Sequence, residues 1–333
     1  MLYFCTIFDK NYLSRGIAMY ESLLKVTTQF HLYVFAFDTV TAEVLSKLAW
    51  SNCTVIRLTE FENEQLLSVK PTRSVAEYCW TATPSAILYV LEHFGVDHCT
   101  YIDADLYFYS DPTVLLEELG RSSVMLTEHR YTKNYDFSSI SGIYCVQYNT
   151  FRNNTEGLTA LRWWNERCIE WCYDRIEDGK FGDQKYLDDW TERFSGVHVL
   201  QHMGAAIAPW NVQQYEFKIS GSQLYCKHES SNNWLPVVFY HFHYLRFYEH
   251  TTIELGDYVL NDEVVRILYY PYIRHLQEIQ QRILPIAPSV DIHGNRKFER
   301  GIKQLYIRIK RMLYGRYNRY SLQSLLQRIE NHE

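Results

Sequence analysis

The chain has 333 residues, which suffice for one large α/β domain with additions or for two smaller domains. Hydrophobic residues make up 47% of it and aromatic residues 16%, so a substantial core is expected and a disordered chain is excluded. The net charge of −6 argues against a general nucleic-acid binder. No apolar run approaches about 18 residues and no signal-peptide pattern is seen, so we expect a cytoplasmic protein without a membrane span.

The first part of the chain alternates between strand and helix patterns. The predicted elements are, in order, a strand at 2–8, a helix at 13–26, a strand at 31–37, a helix at 42–50 capped by Asp38, a strand at 54–58 and a helix at 74–94. Short joints between such elements are typical of a parallel, Rossmann-like sheet. No G-x-G-x-x-G or Walker loop follows the first strand, which disfavours dinucleotide dehydrogenases and P-loop enzymes.

An apolar and aromatic stretch at 100–108 contains two carboxylates, Asp103 and Asp105, separated only by Ala104. In an extended segment, residues i and i+2 point to the same side, so the two carboxylates are predicted to converge. A divalent cation shared with a phosphate-bearing ligand would explain two like charges so close together. The alternative is a strand end where one Asp caps a turn and the other is solvated. The strand-like context and the Ser110-Asp111-Pro112 turn favour the metal.

The middle of the chain combines an aromatic helix, predicted at 159–178, with two loops of candidate site residues. Asp183 and Gln184 lie on a polar turn, where an ordinary capping role is the alternative. Trp210 and Asn211 end a loop of small residues and are candidates for a sugar pocket.

An apolar run at 237–244 predicts a late strand with His241 and His243 on one side. At most one of them is expected to bind a metal, and the alternative for either is a buried histidine paired with a carbonyl or carboxylate. Beyond residue 250 the pattern is helical, with an apolar stripe formed by Ile302, Leu305, Tyr306, Ile309 and Leu313.

In this order, the features resemble a glycosyltransferase of the GT-A fold, and most closely the retaining family 8 or bacterial nucleotide-diphospho-sugar transferases built the same way. The resemblance covers about residues 2–250, and its strongest element is Tyr-Ile-Asp-Ala-Asp. It implies an α/β fold with a mostly parallel central sheet. The catalytic domain would span 1–250, with a nucleotide-sugar half at 1–125 and an acceptor half at 126–250, followed by a helical, basic extension at 251–333.

The resemblance also implies roles for single residues. Asp103 and Asp105 match the D-x-D metal ligands, Ala104 lies between them at the donor, and Tyr240-His241-Phe242 resembles the segment whose histidine is the third ligand. By the same resemblance, Asp9 and Tyr12 would contact the nucleotide base. Asp183 and Gln184 would lie beside the transferred sugar.

Two basic positions of the family are absent from this sequence. His243-Tyr244-Leu245-Arg246 stands where the family has a phosphate-binding lysine, so Arg246 is the candidate replacement. Tyr78-Cys79-Trp80 stands where the family has a Y-x-R before the metal strand. Carboxylates with one imidazole suit Mn²⁺, or alternatively Mg²⁺, as the cofactor.

Residues 296–320 carry nine Lys and Arg against Glu299 alone, a local charge of +8 that leaves about −14 on the rest of the chain. One interpretation is that the stripe docks on the catalytic domain with its cations solvated. The other, which we favour, is peripheral contact with an anionic membrane, at the inner face of the plasma membrane.

The sequence therefore predicts a metal-dependent glycosyltransferase of the hexosyltransferase type. It would move a sugar from a nucleotide sugar, UDP-linked in this interpretation, to a glycan or lipid-linked acceptor in cell-surface polysaccharide synthesis, with retention of configuration. The alternatives are a sugar-1-phosphate nucleotidyltransferase, which should carry a glycine-rich loop after the first strand, and a catalytically silent carbohydrate- or membrane-binding module.

Overall fold

The computed structural model describes residues 1–330. Its strands are β1 (Leu2–Phe8), β2 (Phe30–Ala36), β3 (Cys53–Arg57), β4 (His98–Ile102), β5 (Leu106–Phe108), β6 (Val124–Glu128), β7 (Tyr144–Arg152), β8 (Val197–Val199), β9 (Tyr215–Ser220), β10 (Gln223–His228), β11 (Leu235–Pro236), β12 (Phe239–His241), β13 (Arg246–Tyr248), β14 (Thr252–Glu254) and β15 (Arg319–Ser321).

The α-helices are α1 (Leu13–Val26), α2 (Thr39–Leu48), α3 (Leu58–Phe61), α4 (Glu64–Val69), α5 (Val75–Phe94), α6 (Thr113–Leu119), α7 (Ser138–Ser141), α8 (Thr155–Glu170), α9 (Trp190–Arg193), α10 (Asp262–Val264), α11 (Tyr270–Ile283), α12 (Ile302–Leu313) and α13 (Leu322–Glu330). These elements form two compact units that alternate along the chain. The first comprises 1–9, 27–104 and 111–202, and the second comprises 10–26, 105–110 and the chain from Met203 onward.

The first unit is built on a seven-stranded sheet with the strand order β3-β2-β1-β4-β7-β6-β8. The strands from β3 to β4 are parallel, β7 is antiparallel to both of its neighbours, and β8 is parallel to β6. β1 is buried along almost its whole length, as expected for a parallel strand covered on both faces. Helix α5 packs on this sheet; Ser74 and Glu77 form a capping box at its start, and it ends at Gly95 in the left-handed conformation.

The strand order reverses beside β1, because β2 and β3 follow on one side of it and β4 lies on the other. The carboxyl ends of parallel strands at such a switch point form the usual ligand-binding crevice of an α/β sheet. Asp9 follows the end of β1, and Asp103 follows the end of β4. The topology of the first unit therefore brings two candidate site residues to the same edge of its sheet.

The second unit combines helices with three small sheets. Helix α1 packs against β5 and α11, and β5 pairs antiparallel with β12, so that His241 lies opposite Leu106. The other two sheets have the orders β11-β10-β9 and β13-β14-β15. Past residue 250 the described chain is mainly helical, with β14 and β15 as its short strands, and residues 331–333 of the predicted extension lie outside the described residues.

Two early elements, β1 and α1, have the predicted bounds. Asp38 caps α2 as predicted, by accepting the N–H of Thr41 at 2.7 Å, but the helix starts at Thr39 and ends at Leu48 instead of spanning 42–50. Three later predictions are wrong in part. The aromatic helix α8 starts earlier than predicted, because Asn154 caps it, and it ends at Glu170 instead of continuing to residue 178.

The predicted strand at 237–244 is reduced to β12. It stops at His241 because the chain turns there: Leu245 donates to the carbonyl of Phe242, and Tyr244 has a φ of 67°. The predicted strand through Asp103 and Asp105 is interrupted by a turn between β4 and β5.

Across residues 1–330, no helix is both long enough and apolar enough to cross a bilayer.

Candidate functional site

The turn that carries Asp103 and Asp105 is held by backbone hydrogen bonds at both ends. The N–H of Asp103 donates to the carbonyl of Gln147 at 3.1 Å, and the N–H of Phe242 donates to the carbonyl of Asp105 at 2.9 Å. Ala104 between them is buried, at 6% exposure. The convergence of the two carboxylates, predicted from strand alternation, is instead produced by a turn whose backbone is fixed on either side.

Asp103, Asp105 and His241 form a group in which each residue offers one ligand atom, and these atoms all lie within 4.8 Å of one another. Nε2 of His241 is 3.0 Å from Oδ1 of Asp105. Both of these side chains are buried, at 4% and 7% exposure. Two carboxylates and one imidazole at these separations fit a divalent cation with hard oxygen and borderline nitrogen ligands.

The surroundings of Asp105 keep its carboxylate ionised. Burial alone would raise its pKa, but the charge and hydrogen bond of His241, and then the charges of His243 and Arg15, lower it below the ordinary value. An ionised carboxylate is the form that binds a metal. Asp105 therefore offers its carboxylate in the form that a metal requires, while His241 can act as a ligand only as the neutral imidazole.

His243 lies near the same group without belonging to it. The rings of His241 and His243 both meet the ring of Trp210 edge-on, each with centroids 5.3 Å apart. Burial, followed by the charge of His241, lowers the pKa of His243 to about 4, so its imidazole is neutral at neutral pH. Trp210, which is 5% exposed, thus packs against both imidazoles.

Asn211 holds the loop that carries Trp210. Its side-chain oxygen accepts the N–H of Ala208 at 2.9 Å, and its side-chain nitrogen donates to the carbonyl of Ala206 at 2.8 Å. Asn211 is fully buried, and Ala206 adopts a left-handed φ of 60°. The structure thus gives Asn211 a clear part in shaping the loop, while its predicted contact with a sugar stays a prediction.

In the first unit, three predicted carboxylates surround one thiol. Burial, and then the charges of Asp9, Asp103 and Asp183, raise the pKa of Cys79. These acids come from three distant parts of the sequence. Trp80, the next residue after Cys79, stands where the resemblance would have placed the arginine, and the three carboxylates make this edge of the sheet acidic.

Asp183 is buried, at 5% exposure, and its carbonyl accepts the indole N–H of Trp164 at 2.9 Å. Burial and the nearby charge of Asp103 raise the pKa of Asp183 to about 8. Gly182 precedes it with a φ of 54°, and Gln184, half-buried, begins a short 3₁₀ helix. Asp183 therefore lies near Asp103, as its predicted role requires.

Tyr12 is 41% exposed and rests against Arg15, whose guanidinium carbon is 4.8 Å from the ring centroid. Arg15 itself is buried, at 4% exposure, and donates to three carbonyls, those of Asn11 (3.1 Å), His293 (3.0 Å) and Leu245 (2.9 Å). It joins the turn after β1 to two segments far along the chain. Our sequence interpretation missed it, although a cation inside the apolar periodicity of α1 is a usable signal.

Two further cations belong to the same surroundings. Desolvation and the charge of Asp105 raise the pKa of Tyr12, while Arg15, Arg296 and Arg246 oppose that shift. The guanidinium of Arg246 lies 3.5 Å from the ring centroid of Tyr244. Arg296, assigned from sequence to the basic tail, donates its backbone N–H to the carbonyl of Phe247 at 2.9 Å. It is a second candidate for the missing basic contact.

No protein-family model matches the sequence. The uncharacterized protein YfnD of Bacillus subtilis (strain 168) is 29% identical over 293 residues, which cover 86% of this chain and 92% of YfnD. The uncharacterized protein YfnF of the same organism is 32% identical over 247 residues, which cover 72% of this chain and 80% of YfnF.

Among solved structures, the galactosyltransferase LgtC in complex with donor and acceptor sugar analogues superimposes with a TM-score of 0.51 at 12% identity. The match covers 83% of this chain and 96% of LgtC. It confirms the predicted fold, a mixed α/β GT-A architecture with a mostly parallel central sheet. The chain thus has the GT-A fold, and by its identity to YfnF it belongs to the same protein family as YfnF.

Proposed function

We propose that this protein is a metal-dependent glycosyltransferase, which moves a sugar from a UDP-sugar to a glycan or lipid-linked acceptor. The observation that carries the proposal is the group of Asp103, Asp105 and His241 on and beside the turn that follows β4. It lies in a GT-A fold, where the crevice at the switch point of the sheet suits a nucleotide. A hexosyl donor, retention of configuration and a place in cell-surface polysaccharide synthesis belong to the same proposal.

The metal ligands in this proposal are Asp103, Asp105 and His241, with Mn²⁺ or Mg²⁺ as the cation. When bound, the cation would neutralise the negative charge that grows on the diphosphate as the bond to the sugar breaks. Asp105 would bind the cation as a carboxylate and His241 as a neutral imidazole. Trp210 limits the rotation of that imidazole by packing against its edge.

The remaining residues have proposed roles in holding the donor. Asp9 and Tyr12 would contact the nucleotide base, and Arg15 would hold the turn that carries Tyr12. Arg246 would contact the diphosphate, as an arginine can do with two parallel hydrogen bonds.

The transferred sugar would lie beside Asp183 and Gln184. The nearness of Asp183 to Asp103 supports this role, because a metal-bound diphosphate places the anomeric carbon close to the metal ligands. Trp210 and Asn211 shape the loop beside the imidazoles and would border the sugar pocket.

The decisive experiment follows thermal unfolding and donor hydrolysis with a panel of UDP- and GDP-sugars, each with and without Mn²⁺. For a ligand present at about 100 times its Kd, we expect the Tm to rise by roughly 5 °C, and only when the metal is present. Asp105→Asn should abolish this response and lower hydrolysis on the order of 100-fold or more.

Asp111→Asn provides the matched control, because Asp111 is an exposed aspartate of the same segment that caps Thr113. This variant should keep both the Tm response and the hydrolysis. A response that does not need the metal, or one that Asp105→Asn leaves unchanged, would contradict the proposal.

A further inference from the structure

Helix α12 presents a mixed side, with one apolar and two polar residues, to the protein and a continuous apolar side to solvent. At about 100° per residue, Gln304, Ile307 and Arg311 lie within about 60° of one another on the helix surface, and these are its half-buried residues. On the opposite side is an apolar face spanning about 120°, with exposures from 48% to 89%, formed by Ile302, Leu305, Tyr306, Ile309, Met312 and Leu313. An ordinary surface helix has the reverse arrangement.

A buried carboxylate fixes the helix in this orientation. Glu254, only 2% exposed, accepts Nη1 of Arg311 at 3.0 Å and Nε of Arg319 at 2.8 Å. Nε of Arg311 is also 3.2 Å from the carboxylate of Asp257. Rotating α12 to bury its apolar face would take Arg311 away from Glu254 and Asp257 and leave the buried Glu254 with Arg319 alone, which is unfavourable.

Cations border the apolar face on both sides. Lys303 and Lys310 lie along one edge of it, and Arg308 lies along the other, all of them exposed. Long basic side chains can lay their methylene groups beside an apolar surface while their charged ends reach for anions. Arg300 and Lys297, just before the helix, add two more exposed cations.

We propose that α12 binds the surface of an anionic lipid bilayer, with the apolar face in the boundary between headgroups and acyl chains and the bordering cations on lipid phosphates. The face is continuous along the helix, about 18 Å, which suits a flat surface better than a single pocket. A second copy of the chain is a poorer occupant, because the lysine edges of two such helices would bring like charges together. This inference holds independently of the proposed catalytic activity.

The test is vesicle flotation of the full chain, with phosphatidylcholine vesicles compared with vesicles that also contain phosphatidylglycerol. We expect flotation with the anionic vesicles only. The triple variant Leu305→Ser, Ile309→Ser, Met312→Ser should lower the bound fraction at least tenfold. Reversal of the charge at one edge of the apolar face, by Lys303→Glu and Lys310→Glu, should also release the protein from the anionic vesicles.

The matched control replaces three exposed apolar residues elsewhere, in Leu67→Ser, Ile219→Ser and Val259→Ser, and should float like the unchanged protein. The Tm of each variant, with and without UDP-sugar and Mn²⁺, checks folding and keeps this result separate from the catalytic proposal.

Failure of the unchanged chain to float, equal flotation with neutral vesicles, or unchanged flotation of the α12 triple variant would overturn the inference. If the unchanged chain forms a dimer in solution, does not float, and becomes a monomer in the α12 triple variant, the apolar face serves self-association. That result would also overturn the inference.

Discussion

The turn at Asp103–Asp105 and helix α12 depart from the usual distribution of residues in opposite ways. At and beside the turn, the Asp105 carboxylate and the His241 imidazole are buried, with the Asp103 carboxylate half-buried, whereas on α12 a row of large apolar side chains is exposed. Each arrangement is unfavourable for the chain alone, through charge desolvation in one case and apolar hydration in the other. A cation would relieve the first and a lipid surface the second. These two unfavourable terms are the physical reason for proposing a cation at the first region and an anionic lipid surface at the second.

The two regions should also differ in how they respond to mutation. The turn depends on a few atoms at defined distances, so single substitutions there should have large and specific effects. The apolar face of α12 acts through its summed area, so several substitutions are needed to remove its effect.

Among further single substitutions, we expect the largest loss of Mn²⁺ affinity from a change at His241. His241→Ala should weaken the apparent Mn²⁺ affinity in donor hydrolysis by on the order of 100-fold, because it removes a ligand 3.0 Å from Asp105. His243→Ala is the matched control. It removes a neighbouring imidazole outside the metal group and should weaken the apparent Mn²⁺ affinity by about tenfold or less. If a Mn²⁺ titration shows a larger loss of affinity for His243→Ala than for His241→Ala, the ligand role belongs to His243.

We expect a smaller effect, on folding stability, from a change at Glu254, the buried partner of Arg311 on α12. Glu254→Gln removes the negative charge that holds Arg311 and Arg319, and should lower the free energy of unfolding by about 2–3 kcal/mol in urea denaturation. Glu263→Gln, at an exposed carboxylate of α10, should change it by less than about 0.5 kcal/mol. Equal stabilities of the two variants would mean that Glu254 does not fix the helix.

Glu21 serves as a comparison for both regions, because it is a partly buried carboxylate whose charge is already paired inside the protein, by His275 and Arg282. Although burial raises its pKa, hydrogen bonds from His275 and Arg282 lower it to about 2, below the usual value of 4.5. A lowered pKa stabilises the fold above the unfolded-state value, and this contribution is lost as the pH falls from about 4.5 towards 2. Between pH 6 and pH 3, the unchanged protein should lose about 1–2 kcal/mol more stability than Glu21→Gln.

The exposed Glu43→Gln on α2 is the control and should keep the full pH dependence. If Glu21→Gln retains that dependence as well, the hydrogen bonds from His275 and Arg282 do not determine the pKa of Glu21.

Much of the fold was predictable from local patterns. The bounds of β1 and α1 follow from their apolar periodicity, and the cap of α2 follows from one residue, Asp38. The metal group was predictable because two carboxylates in an apolar stretch carry an electrostatic cost that needs an explanation. Periodicity overextended the helix predicted at 159–178, which ends at Glu170, and the strand predicted at 237–244, which ends at His241 just before a local turn.

The sequence alone indicated that the carboxylates of Asp103 and Asp105 are close together, though not the turn that brings them there, and that the basic tail contains an amphipathic helix. Only the tertiary structure decided that His241, and not His243, lies with Asp103 and Asp105, because β12 ends at His241 and His243 is already part of the following turn. It also decided which side of α12 faces outward. An apolar stripe is compatible with either orientation, and the observed one lets Arg311 pair with Glu254, a buried carboxylate 57 residues before it that Arg319 pairs as well.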